Sequence, residues 1–295
     1  MLLREIKNIF HKELGETYPE GEIDTFFYLS IEHYLKLERF ALVLQPNLVL
    51  TKEEETPLFR VVTELKKEKP IQYILGSTHF MDLEFKVDEN VLIPRPETEE
   101  LVQWILEECQ AERSRNLRIL DIGTGSGCIA VSLAQNLPNA KVYAMDISEK
   151  VLKVAQQNAM LNNVEVTFLQ KDILNPELEF ELYSEFESVL ELQFDIIVSN
   201  PPYVRELEKE EMKKNVLEHE PDLALFVPDN NPLLFYDAIT QFAKTRLKEN
   251  GSLFFEINQY LGKETKALLE AHNFLEIELR KDIFGNHRLL KGIRP

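Results

Sequence analysis

Through the first 70 residues, apolar side chains recur at helical spacing with no strand-like alternation. Phe27, Ile31, Tyr34 and Leu35 fall at i, i+4, i+7 and i+8, and Leu58, Val61, Val62 and Leu65 at i, i+3, i+4 and i+7. Each segment therefore presents one apolar stripe. Thr56-Pro57, ahead of the second stripe, reads as an N-cap followed by proline in the first turn. A small helical bundle over residues 1–75 is expected. Between residues 78 and 93 the pattern becomes short and partly alternating (HFMDLEF, ENVLI), which predicts a β-hairpin within a joint at 76–94.

Residues 95–295 follow a different grammar. Apolar runs with strand character at 118–122, 141–145, 164–169, 194–199, 251–257, 274–280 and 288–293 alternate with helical stretches near 97–110, 127–137, 149–162, 232–248 and 261–272. Such alternation implies an α/β domain, its mostly parallel sheet covered on both faces. The last two strands are separated by a loop too short for a crossover helix, so they are expected as antiparallel neighbours. The acidic stretch at 175–193 (NPELEFELYSEFESVLELQ) reads as an insertion with a helix in it.

Composition changes this picture little, and charge changes it more. At 295 residues, two domains are the better expectation, and 44% hydrophobic with 28% charged residues is ordinary globular usage. No apolar run is long enough to cross a bilayer, and the charged N-terminus lacks a signal-like core, so a cytoplasmic protein is expected. Cys109 and Cys128 are the only cysteines, too few for a disulfide framework or a structural zinc site. The histidines lack metal-ligand spacing, and no metal is expected. A formal net charge of −18 argues against a phosphate-gripping surface. The acidity is not confined to one tail, since residues 1–90 carry 11 Lys/Arg against 17 Asp/Glu.

The candidate chemistry lies at strand ends. After the first strand of the α/β region comes DIGTGSGCIAVSLA (121–134), with glycines at 123, 125 and 127. They allow a sharp turn, close backbone approach to a ligand and a helix N-terminus facing it. The spacing departs from the dinucleotide fingerprint, which disfavours a nicotinamide enzyme. The second strand ends in Asp146, where a carboxylate can accept both hydroxyls of a ribose, and the third in Lys171-Asp172-Ile173, where Asp172 can accept an adenine amino proton. The set Asp121, Gly123, Thr124, Gly125, Ser126, Gly127, Asp146, Ile147, Asp172 and Ile173, with Asn200 at its border, is what an adenosyl ligand needs. Asp172 taken alone also reads as a turn residue.

The fourth strand ends in SNPPYV (199–204). Two prolines fix the backbone and remove donors, so whatever Asn200 presents is held rigidly. Here the residues resemble adenosylmethionine-dependent methyltransferases of planar nitrogens, which carry an Asn/Asp-Pro-Pro-aromatic motif. Within that class the chain is similar to the HemK/PrmC family, the peptide chain release factor glutamine methyltransferases. The likeness rests on PIQYILG (70–76), VLIPRPETEELV (91–102), DIGTGSGCIA (121–130), SNPPYV, EPDLALF (220–226) and DIFGNHRLLKGI (282–293). It implies a Rossmann-like class I methyltransferase sheet, S-adenosyl-L-methionine as cofactor, and the glutamine of a release factor's Gly-Gly-Gln loop as substrate. It also implies catalytic and substrate-binding roles for Asn200, Pro201, Pro202 and Tyr203. By the same analogy Arg95, Pro96 and Glu97 would form the lip over the cofactor, with Arg95 and Glu97 meeting substrate, and the same residues read equally well as a plain proline-bounded helix start. The charge and position of the helical bundle suggest a module that docks the release factor. The acidic insertion looks longer than the family's usual connection there. A monomer without nucleic-acid or membrane partners is expected. The rival is a nucleic-acid N6-adenine methyltransferase, because the same clamp serves a flipped adenine; the net charge and the lack of a basic recognition domain stand against it. A non-enzymatic binding subunit is expected to lose the glycine loop or the asparagine, and both are intact.

Overall fold

A computed structural model describes residues 1–109, 116–175 and 192–295. The helix expected within the acidic insertion falls largely on residues outside that set. The chain divides into two compact units, Met1–Ser77 with Lys213–His219, and Thr78–Met212 with Glu220–Pro295.

The first unit holds α1 (Leu3–Leu14), α2 (Glu20–Leu35), the single turn α3 (Ala41–Leu44), α4 (Lys52–Leu65) and α5 (Ile71–Leu75). Leu58, Val61, Val62 and Leu65 on α4 and Phe27 and Ile31 on α2 are buried in one cluster with Leu3, Ile6, Phe10 and Leu14 of α1. Each such side chain contributes about 1.5–3 kcal/mol by leaving water. Tyr34 and Leu35 pack at the border of that cluster. The start of α4 is not at Thr56-Pro57. Thr51 is the N-cap, in a capping box with Glu54, and Pro57 lies inside the helix. Two satisfied backbone donors at Thr51 outweigh the one hydrogen bond that Pro57 forfeits. The segment 213–219, including the short helix Lys214–His219, belongs to this unit and was not foreseen there; Lys214 Nζ lies 2.8 Å from Glu68 Oε1, and His219 Nε2 lies 3.1 Å from the Lys67 carbonyl.

In the second unit, β1 (Ser77–Phe80) and β2 (Leu83–Lys86) pair through a two-residue turn, Met81-Asp82, with both residues at positive φ. That geometry matches the twist of a hairpin. The main sheet contains β3 (Arg118–Ile122), β4 (Lys141–Asp146), β5 (Val166–Gln170), β6 (Phe194–Ser199), β9 (Leu247–Glu256), β10 (Leu275–Lys281) and β11 (His287–Ile293) in the order β10-β11-β9-β6-β3-β4-β5; two short strands, β7 (Val204–Arg205) and β8 (Phe226–Val227), pair apart from it. β3, β4, β5, β6 and β9 run parallel, while β11 is antiparallel to β9 and to β10. Its helices include Pro96–Glu108, Cys128–Asn136, Glu149–Leu161, Leu234–Arg246 and Gly262–Ala271. This is the Rossmann-like arrangement, and because these strands run parallel, with β3 in the middle of the five, the carboxyl ends of β4, β3, β6 and β9 line one edge.

Pleating decides which residues meet there. Ile119, Ile196, Val198 and Phe254 face one core with Trp104 of the Pro96–Glu108 helix, and Leu120, Ile197, Leu253 and Phe255 face the other. Alternation therefore turns Asp121 and Glu256 to the Trp104 side. Ser199 on β6 is in register with Phe255 on β9, so Asn200 and Glu256 follow side by side.

Candidate active site

The glycine loop is braced by β4. Gly123 N and Thr124 N both donate to the Met145 carbonyl, at 2.8 and 3.0 Å, and Gly125 N donates to Asp146 Oδ2 at 3.1 Å. Gly125 (φ 55°) and Gly127 (φ 81°) require the left-handed region for different reasons. A side chain at Gly125 would meet nothing within 4 Å, so glycine supplies conformation and backbone access, whereas one at Gly127 would press on Ala155 at 3.1 Å. Asn158, fully buried, fastens the loop from behind, donating to the Ser126 carbonyl at 2.8 Å and exchanging hydrogen bonds with the Lys86 backbone.

Asp121 is fully buried beneath this loop. Thr124 donates to its Oδ2 at 2.6 Å, while Oδ1 has no hydrogen-bond partner among the described residues. Burial, with the charge of Asp146 nearby, pushes its carboxyl up to about 7. Asp146 is also raised by burial, although Ser148 N and Gly125 N both donate to it. Cys128, opening the next helix, is pushed by burial to about 12, which makes it an inert thiol.

Ile147 stands exposed beside Asp146. Asp172 lies just past β5, half-buried, and its two oxygens accept from Leu174 N and Asn175 Nδ2 at 2.9 and 2.7 Å. Ile173 packs at the border of the second core. The structure thus brings Asp121, the loop and Asp146 into direct contact, and leaves Asp172 bonded within its own turn.

At the end of β6, Asn200 is half-buried and Pro201 buried. Asn200 Nδ2 donates to Thr98 Oγ1 at 3.2 Å, and the Thr98 hydroxyl donates to Glu256 Oε2 at 2.6 Å. The other Glu256 oxygen, Oε1, accepts from the Tyr203 hydroxyl at 2.9 Å. Arg288 Nη1 reaches that hydroxyl at 3.4 Å and the Ile257 carbonyl at 3.1 Å, and Arg288 Nε reaches Asp282 Oδ2 at 3.3 Å. Burial raises the Glu256 carboxyl, opposed by Thr98, Tyr203 and Arg288, and holds the Tyr203 phenol well above its ordinary value. Arg95 caps the Pro96–Glu108 helix and pairs with buried Glu220, which also accepts from Ile93 N at 3.2 Å. Glu97 is half-buried in the first turn of that helix.

Sequence reasoning missed Thr98, Glu220 and Glu256, and assigned Arg288 no role. Each stands within or beside a stretch already singled out: PRPETE, EPDLALF, the end of the 251–257 strand, and DIFGNHR. The available signal was chemical: an acid closing an apolar strand run needs a partner.

Edge, loop and asparagine turn together define a class, the Rossmann-like methyltransferases that take S-adenosylmethionine. A family described as "Methyltransferase domain" matches residues 113–274, and one described as "PrmC N-terminal domain" matches residues 10–76. The chain is 54% identical over 292 residues to the release factor glutamine methyltransferase of Flavobacterium psychrophilum, covering 99% of each. It is 40% identical over 292 residues to that of Bacteroides thetaiotaomicron, covering 99% of this chain and 100% of the relative. The chain belongs to the release factor glutamine methyltransferase family. Among solved structures, the 16S rRNA N2 G1207 methyltransferase of T. thermophilus, in complex with AdoMet and guanosine, matches with a TM-score of 0.52 at 21% identity, over 74% of this chain and 50% of that one. That likeness concerns the fold alone.

Proposed function

We propose that this protein methylates the side-chain amide nitrogen of the glutamine in the Gly-Gly-Gln loop of peptide chain release factors. The observation that carries the reading is the Asn200 carboxamide at the sheet edge: its nitrogen is engaged by Thr98 while Oδ1 accepts nothing from the described residues. S-adenosylmethionine, when bound, supplies a methyl group made electrophilic by a sulfonium. The glycine loop offers it close backbone approach, Asp146 accepts its ribose hydroxyls, Asp172 and Ile173 meet its adenine, and buried Asp121 supports the loop from below.

An amide nitrogen is a weak nucleophile because its lone pair is delocalised into the carbonyl. Asn200 Oδ1 and the Pro201 carbonyl each accept one N–H of the substrate amide, which aims the nitrogen and stabilises the positive charge that grows on it during attack. Pro201 and Pro202 hold both acceptors fixed, and the Tyr203 ring packs on the flat amide. No strong base is needed before attack, and the proton leaves afterwards to solvent. Arg95 and Glu97 line the lip of the site.

The helical unit is read as the release factor's docking module and the protein as a cytoplasmic monomer, placed where its substrate works. A net charge of −18 favours a protein partner over nucleic acid or an anionic membrane. The test is incubation with labelled S-adenosylmethionine and either a release factor or DNA, followed by mass spectrometry of the product. One methyl on the glutamine of the release factor is the expected result; label on adenine instead would overturn the reading.

A further inference from the structure

We propose that Thr98 and Glu256 set the polarity of the Asn200 carboxamide, acting as positioning residues that keep its oxygen, rather than its nitrogen, toward the substrate amide. The inference rests on the reading of Asn200 as the acceptor clamp.

It follows from counting protons. A carboxylate only accepts, so the hydroxyls of Thr98 and Tyr203 both donate to Glu256, at 2.6 and 2.9 Å. Thr98 has one proton, and that proton is now committed. Toward Asn200, 3.2 Å away, Thr98 can only accept, so the atom facing it must be the –NH2 group. Oδ1 then turns away from Thr98, to the side from which a substrate N–H approaches. Without this constraint a carboxamide can rotate by half a turn and present –NH2 to another –NH2, which repels the substrate.

The rest of the network holds Glu256 to this duty. It is 1% exposed at the carboxyl end of β9, beside Asn200 through the β6–β9 register. Arg288, anchored on Asp282 and the Ile257 carbonyl, donates toward the Tyr203 hydroxyl and so obliges that hydroxyl to donate onward. The helix that carries Thr98 begins at Pro96 directly after Arg95, whose pairing with Glu220 fixes its entry. Four separated stretches of chain thereby converge on one amide.

The decisive variant is Glu256→Gln, which keeps shape but makes one of the two positions a donor. Because Tyr203 must still donate, the Gln oxygen goes to Tyr203 and its nitrogen to Thr98, whose proton is then released toward Asn200. The Asn200 oxygen is drawn inward and the clamp is reversed. Turnover should fall on the order of 10²-fold, with cofactor affinity and Tm close to those of the parent. Thr98→Val, which removes the hydroxyl in the same volume, should lower kcat roughly tenfold, and Thr98→Ser should restore most of that loss. Asn200→Ala, measured alongside, separates the two readings. If it alone is inactive while Glu256→Gln and Thr98→Val turn over at the parent rate, the polarity inference is wrong and the clamp stands. If Asn200→Ala itself turns over normally, the clamp fails and the inference goes with it. Should Glu256→Gln not fold, the Thr98 pair decides: equal kcat in Thr98→Val and Thr98→Ser overturns the inference.

Discussion

The proposed cofactor side and the proposed acceptor side of the site are braced over very different sequence distances. On the cofactor side Thr124 bonds Asp121 three residues away, Ser148 bonds Asp146 two residues away, and the glycine loop is tied to Asp146 over 21 residues and to Asn158 over 32. On the acceptor side Asn200 is tied to Thr98 over 102 residues, Thr98 to Glu256 over 158, and Tyr203 to Arg288 over 85. A locally braced site can be built by one loop and its neighbour. A site braced at long range exists only when the whole sheet is in register, and its residue types look ordinary until then.

That contrast predicts separable failures. The largest is expected for Asn200→Ala: turnover falls about 10²- to 10³-fold because a preorganised acceptor at the reacting nitrogen is lost. Cofactor affinity by calorimetry should stay near the parent value, since the local ties of the glycine loop are untouched. A joint loss of both would mean that the two sides are one mechanical unit.

Next comes Asp146→Ala, which should weaken cofactor binding by roughly 1.5–3 kcal/mol through loss of a charged acceptor. The Gly125 amide also loses its partner, so a slacker loop adds to the effect. With cofactor at saturation, kcat should recover toward the parent rate. An unrecoverable kcat would show that Asp146 reaches across to the acceptor side.

The same distances explain what could be read from the sequence. Strand and helix order from residue 95 onward was legible because periods of 2 and 3.6 are local properties, and the glycine loop because its spacing is contiguous. Asn200 was legible because two prolines mark it. Thr98 was not, since a threonine in the first turn of a helix is commonplace, and Glu256 became meaningful only through the β6–β9 pairing. The start of α4 was misplaced because a visible proline outweighed the quieter Thr51–Glu54 box. Nothing local in 213–219 announces that it packs with the first unit.

A smaller effect, on stability rather than catalysis, is expected at Asp121. Its carboxyl is raised from 3.8 to about 7 in the folded protein. The native state therefore binds more protons than the unfolded chain between those values, and Asp121's contribution is full below about 4 and lost as pH rises through about 7. Asp121→Asn removes the titration, so its Tm should fall below the parent's at pH 4, where the buried amide replaces a neutral acid, and exceed it at pH 8. The linkage ceiling of about 4 kcal/mol shrinks to an order of 1–2 kcal/mol because the new amide must also be buried. A Tm difference that does not change with pH would count against this account.

The smallest effect is expected from Asp172→Ala, and it sharpens the comparison within the cofactor side itself. Asp146 and Asp172 are both acids at the ends of neighbouring parallel strands, and by position alone they are equivalent. Their surroundings are not: Asp146 takes the glycine-loop amide, whereas Asp172 gives both oxygens to Leu174 N and Asn175 Nδ2 of its own turn. A carboxylate oxygen that already accepts one hydrogen bond can still accept another, but the turn holds it at a half-exposed position where water competes. Removing it should cost roughly 0.5–1 kcal/mol of cofactor affinity, about two- to fivefold in Kd, with kcat unaltered. The adenine contact would be shown by a loss that disappears when an adenosyl analogue without the exocyclic amine replaces the cofactor in the binding assay. A loss as large as that of Asp146→Ala would mean that the turn at 172–175 is rebuilt around the ligand, and that local bracing there is a property of the free protein alone.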